Sequence, residues 1–301
     1  MRLAIKKITL KGHNSFYLRE GWLNKIFLHQ EENYDFLRDT VNGAVVLGVG
    51  SGMVKAIKFY LTAMDLINLL SKNNPTTKLF EIIKERDPYL EDLFTKYVLH
   101  YKLVSNADRA TTWHSYFNYI NIDEISRDDL FSAIQNIYHE ALPGVTFSQK
   151  SLIDDISVLI KLYTRLNDKK LTPEDNLQSP LSDLKLIEFD GKYLKKTPPP
   201  QDLLSDDVVF YILLSELEKI DNDKESNKYN ISIDTMMSAP NNIGRVLNLT
   251  KEEVYNCLLR LQDRKKLVLQ QTAGLDQIYI KKSESSELVL SEHLGVNNVQ
   301  R

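Results

Sequence analysis

Two short apolar runs broken by Gly48-Val49-Gly50-Ser51 constrain this chain more than any other feature. Val41 to Leu47 and Gly52 to Met64 both carry apolar residues at helical spacing, with Met53, Ile57, Tyr60 and Leu61 along the second run. Gly48 and Gly50 permit a sharp turn between them, which predicts a helix-turn-helix. A further helix is expected before it, from about Glu31 to Asp39. Ala44 is small where the helices must cross, and Ser51 can cap the last helix. Lys55 and Lys58 share one face of that helix and point away from Met53 and Ile57. Leu66 to Leu70 then reads as a short strand, Ser71-Lys72-Asn73-Asn74-Pro75 as a turn or wing, and Thr77 to Phe80 as the return.

The same order recurs near the other end. Asp207 to Ile220 reads as a helix, the polar run Asp221 to Asn230 as a surface loop, and Met236 to Leu247 as the first helix of a pair. Thr250 and Glu253 form a capping box that opens a helix from Lys251 to Arg264. Leu267 to Gln271, the turn Thr272-Ala273-Gly274-Leu275 and Gln277 to Ile280 complete a hairpin. Between the two lies a mostly helical stretch. Asp87-Pro88 is expected to start one of its helices, with Asp as N-cap and Pro at the first helical position. Trp113, Tyr116, Phe117 and Tyr119 form an aromatic group, and Leu152, Ile156, Leu159, Ile160 and Tyr163 follow an amphipathic period. Thr197-Pro198-Pro199-Pro200 stops helical structure. The expected fold is mainly α: an N-terminal winged helix-turn-helix (1–75), a central helical domain (76–200), a C-terminal winged helix-turn-helix (201–285) and a tail (286–301).

Winged helices point to double-stranded DNA, because one helix enters the major groove and the wing reaches phosphates. They also serve as protein-contact modules. The formal net charge of −3 does not favour nucleic acid, but its distribution matters more, since acids gather mid-chain and bases nearer the ends. The expected DNA contacts are Ser51, Lys55, Lys58 and Lys72 in the first region. In the third they are Arg245, Lys251, Arg260, Arg264 and Lys265, with Lys266 adding charge.

The segment Gly12 to Lys25 gathers His13, Arg19, Glu20 and Lys25, the candidates for chemistry. Arg19 and Lys25 could hold phosphate with His13 as acid or base. Alternatively Phe16, Leu18, Trp22 and Leu23 simply anchor the segment to the core. Asp87, Glu91 and Asp92 could bind a divalent ion, but acids beside a helix start more often cap it. The scattered histidines lack zinc-site pairing, and no phosphate-loop or dinucleotide motif stands in the chain. Cys257, the only cysteine, sits in an apolar helical pattern and reads as a buried thiol. Met1 to Leu10 lacks a signal-peptide core and no run approaches the roughly 18 apolar residues of a membrane span, so the cytoplasm is expected.

Several blocks carry a family resemblance. They are Gly12-His13-x-x-Phe16-x-Leu18-Arg19-x-x-Trp22-Leu23-x-Lys25, Leu47-Gly48-Val49-Gly50-x-x-Met53-Val54-x-Ala56-Ile57, and Asp87-Pro88-Tyr89-Leu90-Glu91-Asp92 with Leu99-His100-Tyr101-x-Leu103. Thr112-Trp113 with Phe117-Asn118, and Pro180-Leu181-x-x-Leu184, follow in order. Together they resemble a bacterial family encoded beside cysteine desulfurases and sulfur-transfer enzymes in DNA phosphorothioate-modification loci, similar to the DNA-nicking B component of the Ssp system. The resemblance implies a DNA-binding protein of phosphorothioate modification and anti-phage defence that nicks DNA for sulfur incorporation, partnered with sulfur-transfer enzymes. Ser51-Gly52 stands where that family's pattern has a Lys-Asn pair, and no catalytic residue maps by motif. No cofactor is evident; Mg2+ or Mn2+ would be needed only for nicking. A homodimer would match twofold DNA sites. A non-catalytic recruiting subunit and a transcriptional regulator are the competing readings.

Overall fold

A computed structural model describes residues 3–29, 34–71, 75–165, 177–221, 226–272 and 275–297. The chain is mainly helical and divides into two compact units, Met1–Thr197 and Pro198–Arg301, with the break at the first of the three prolines.

Unit 1 begins with an extended segment and helix α1 (Trp22–Phe27). The helix expected from Glu31 to Asp39 is, in its described part, only the 3-10 turn Asp35–Leu37. Asp39 ends it because its backbone is extended and its carboxylate accepts the Val41 N–H, capping α2 (Thr40–Leu47). Gly48 then takes the left-handed conformation (φ 62°) that closes α2, and α3 (Ser51–Ala63) leaves at 93° to it. Two details differ from the expectation. The small residue at the crossing is Gly43 rather than Ala44, since a Cβ at Gly43 would lie 2.7 Å from the Phe36 carbonyl oxygen and 2.8 Å from Val54. The N-cap of α3 is Gly50, so Ser51 is its first helical residue and makes no capping bond.

After α3 the expected strand at Leu66 to Leu70 reduces to a single bridge, Ile67 to Thr76. The return at Thr77 to Phe80 is instead the start of α4 (Lys78–Arg86), because the Thr77 hydroxyl accepts the Phe80 N–H. Lys72, Asn73 and Asn74 lie outside the described residues. Asp87 does not cap a helix either. Its carboxylate accepts the N–H groups of Glu91 and Asp92 and folds a turn in which Leu90 is left-handed (φ 54°), and burial raises its pKa. Asp92 is the cap of α5 (Leu93–Ser105). Helices α6 (Thr111–Tyr119), α7 (Arg127–Ala141) and α8 (Gln149–Tyr163) complete the core with the 3-10 helix Pro180–Leu184. Strands β1 (Glu124–Ser126), β2 (Ile187–Phe189) and β3 (Tyr193–Lys196) form a small antiparallel sheet in the order β1-β3-β2. Trp113, Tyr116 and Phe117 of α6 are buried, as are Leu152, Ile156, Leu159, Ile160 and Tyr163 of α8.

Unit 2 runs from α9 (Asp206–Ile220) into β4 (Lys228–Ser232), which begins within the stretch expected to be loop; residues 222–225 lie outside the described set. The expected helix from Met236 to Leu247 is broken into α10 (Ile233–Ser238) and α11 (Ile243–Val246), because Pro240 supplies no N–H to carry one helix through. Gly244 lets the two pieces meet: a Cβ there would lie 2.7 Å from Met237. The Thr250–Glu253 capping box opens α12 (Lys251–Asp263) as expected. Strands β5 (Val268–Thr272) and β6 (Leu275–Lys281) form the hairpin, and β4 adds to give a three-stranded antiparallel sheet in the order β4-β6-β5. The turn residues Ala273 and Gly274 lie outside the described set. The C-terminal segment holds a further helix, α13 (Ser286–Asn297), which sets Val289, Leu290 and Leu294 against α9.

Candidate nucleic-acid interface and a charged pocket

Four residues of the Gly12–Lys25 segment were the candidates for chemistry, and the structure separates them. His13 is fully buried, edge-on to Phe59 and Trp113. Its Nδ1 accepts the Ser15 N–H at 3.1 Å, so the ring proton is on Nε2, which donates to Asp155 at 2.9 Å. The Asp155 carboxylate also accepts the Lys11 N–H at 2.8 Å and the Thr112 hydroxyl at 2.8 Å. That leaves Thr112 to accept from the Tyr138 hydroxyl at 3.0 Å. This is a closed network that ties the N-terminal segment to α6, α7 and α8. His13 thus anchors the segment and is not placed as an acid or base for an external substrate. Asp155 stands three residues after Leu152 on the apolar stripe of α8. An acid at a core position was the signal, and only the tertiary structure names its partners.

Lys25 donates to the Leu47 carbonyl at 2.9 Å and so caps the C-terminal end of α2. Arg19 is buried under aromatic rings, its guanidinium 5.5–5.8 Å from the centroids of Phe16, Tyr17 and Trp22. With Glu20 it lines a cavity of about 240 Å3 whose other charged walls are Lys96, Arg165 and Asp183. Asp183 joins two of these, 2.6 Å from Lys96 and 3.2 Å from Arg165.

The expected DNA contacts also divide. Ser51, Lys55 and Lys58 fall at positions i, i+4 and i+7 of α3; the first two are exposed and Lys58 is half-buried. Neither lysine is ion-paired among the described residues, while Val54, Ala56, Ile57 and Phe59 on the other side are buried. Gly52 has a packing role: the Asn14 amide donates to its carbonyl, and a Cβ would lie 2.6 Å from Asn14 Nδ2. On α2, Val41 and Val45 are exposed, so the outward surface of this helix pair is part basic and part apolar.

In unit 2 the expected contacts other than Lys265 are engaged within the fold. Arg260 pairs with Asp206 at 2.7 Å and Arg264 with Asp207 at 2.7 Å, both at the start of α9. Lys251 lies 3.4 Å from Asp234, and Arg245 donates to the Ser238 carbonyl at 3.2 Å. Lys265 is exposed in a left-handed turn (φ 60°), and Lys266 pairs with Glu284 at 3.1 Å. The residues that α12 turns outward at i, i+4, i+7 and i+11 are Glu252, Asn256, Leu259 and Asp263. Cys257 is buried, as expected, and burial pushes its thiol up to about 11.

Among the described residues no group of three or more His, Cys, Asp or Glu side chains is placed to hold a metal ion. No single described helix is long and apolar enough to cross a membrane.

No curated protein matches the chain. Among solved structures, a crystal structure of SspB is 21% identical, with a TM-score of 0.78 over 97% of this chain and 88% of that one. A magnesium ion-bound crystal structure of SspB is 20% identical, with a TM-score of 0.77 over the same shares. These likenesses fix the fold, and they agree with the resemblance to the Ssp B component drawn from the sequence blocks. The chain belongs to the family described as protein of unknown function DUF4007, whose model matches residues 10–294.

Proposed function

We propose that this DUF4007 protein is the DNA-binding component of a phosphorothioate-modification system serving anti-phage defence, and that it grips double-stranded DNA through the α2–α3 corner of unit 1. The observation that carries this reading is the row Ser51, Lys55 and Lys58 on the outward side of a helix that follows a 93° turn. A helix so placed can enter a major groove, and its lysines can neutralise phosphates. In this reading unit 1 holds a helix-turn-helix and unit 2 a winged one, but unit 2 meets protein rather than DNA, since the outward residues of α12 include Glu252 and Asp263. Its natural partners are the sulfur-transfer enzymes of the same system or a second copy of the chain, in the cytoplasm.

The closed state of His13 and Asp155 favours a recruiting role over catalysis by that pair. Strand nicking, with Mg2+ or Mn2+, would have to draw on other groups. Asp87 and Asp92 are engaged by backbone N–H groups and Asp183 by cations. The deciding experiment titrates a fluorescent duplex with the full chain and with the Lys55→Ala, Lys58→Ala double variant. In parallel, supercoiled plasmid is incubated with magnesium, manganese or chelator. Metal-dependent conversion to open circle identifies a nickase; a duplex complex without conversion identifies a recruiting subunit. Unchanged affinity in the double variant removes α3 from the DNA interface.

A further inference from the structure

The cavity beside Arg19 has no part in the proposed DNA grip of α3, yet three of the sequence blocks that carry the family resemblance converge on it. Arg19 comes from the first block, Tyr89 from the third, and Pro180 opens the last, which also brings Asp183. Its charges are ordered by depth. Arg19 is buried and Lys96 nearly so, with 12% of its side chain exposed. Towards solvent stand Arg165, 70% exposed, and the ring of Tyr89, 60% exposed. The floor is therefore cationic and the rim carries an open aromatic face. Asp183 neutralises part of this charge through Lys96 and Arg165, and the exposed Glu20 in the lining opposes large anionic surfaces. About 240 Å3 admits a small ligand rather than a polymer lying along the surface.

A guanidinium at the floor suits phosphate oxygens, and an exposed tyrosine ring offers a stacking platform for a flat base. We propose that this pocket binds one nucleoside 5′-phosphate, with the phosphate towards Arg19 and Lys96 and the base against Tyr89. Such a group could be a free nucleotide or the 5′-phosphorylated end of a DNA strand. The proposal does not depend on α3 binding DNA.

Calorimetric titration of the full chain with dAMP, deoxyadenosine and inorganic phosphate tests it, alongside short single strands carrying either a 5′-phosphate or a 5′-hydroxyl. The expected result is saturable dAMP binding that deoxyadenosine and inorganic phosphate reproduce at least tenfold more weakly. Tighter binding of the 5′-phosphorylated strand than of dAMP assigns the strand end as the source; the reverse assigns the free nucleotide. Arg165→Ala and Tyr89→Ala alter exposed side chains and should each weaken binding several-fold while leaving the melting temperature unchanged. The proposal is overturned if neither dAMP nor the 5′-phosphate registers, if inorganic phosphate binds as well as dAMP, or if both variants bind like the parent.

Discussion

In unit 1 the helix after the sharp turn carries Lys55 and Lys58 outward, unpaired by any described acid, while the carboxylate of Asp155 is satisfied deep in the core. In unit 2 the corresponding helix is α12, and its arginines reach back to Asp206 and Asp207. The two regions read alike in sequence: apolar helix, turn, second helix with basic residues. What distinguishes them is where the basic residues fall on the helical wheel. Lys55 and Lys58 lie opposite the buried face, whereas Arg260 and Arg264 lie beside it, within reach of the acids that begin α9. A charge paired in this way is partly neutralised and lends little to a long-range field.

The largest expected effect is on unit 1's core. Replacing Asp155 by Ala leaves His13 and the Thr112 hydroxyl buried without their acceptor, along with the part-buried Lys11 N–H, and should cost unit 1 about 1–3 kcal/mol for each buried donor left unsatisfied. Separate unfolding transitions for the two units, one lowered and one unmoved, would be the calorimetric signature. If the transition moves by less than a degree, the network does not anchor the N-terminal segment.

DNA binding should divide the units next. Lys55→Ala with Lys58→Ala should lower duplex affinity at least tenfold and reduce the slope of log affinity against log salt by about 2, near 0.9 per lost phosphate contact. Arg260→Ala with Arg264→Ala should change affinity less than twofold. An equal loss in both pairs would abolish the distinction drawn between α3 and α12.

Acid should act on the units in different pH windows. Burial holds His114 of unit 1 at about 4, below its ordinary 6.5, so the unfolded chain binds more protons between those values. Its contribution is complete above pH 6.5 and is lost as pH falls towards 4, a loss of about 2–3 kcal/mol. In unit 2 the His293 hydrogen bond, and then Arg264, lower the pKa of Asp207. That stabilisation is present above the usual carboxylate value of about 4 and disappears only at lower pH. Unit 1 should therefore lose melting temperature between pH 7 and 5 while Asp207 still supports unit 2. NMR titration of His114 would check the assignment.

The smallest effect expected is that of Asp206→Asn with Asp207→Asn. Each partly exposed pair contributes about 0–1 kcal/mol, so unit 2 should soften only slightly. The released Arg260 and Arg264 should raise its affinity for duplex. If they do not, the outward residues of α12 rather than the ion pairing keep it from DNA.

The sequence by itself determined the elements whose causes are local. The Gly48 turn, the Thr250–Glu253 capping box, the apolar stripe of α8 and the stop at the prolines all follow from neighbours within a few residues. Local rules also misled at Asp87-Pro88, where the acid meets N–H groups of its own following turn and Asp92 caps the helix. Lys55 and Lys58 could be placed on an outward face by period alone. The fates of His13, Arg19 and Arg260 could not, because the partners Asp155 and Asp206, and the Asp183 wall of the cavity that Arg19 lines, are separated from them by 54 to 164 positions. A side chain's charge is written in the sequence, but its burial and its counter-charge come from chain segments that only the folded structure brings together. Those two quantities decide whether a cation holds the fold or meets a ligand.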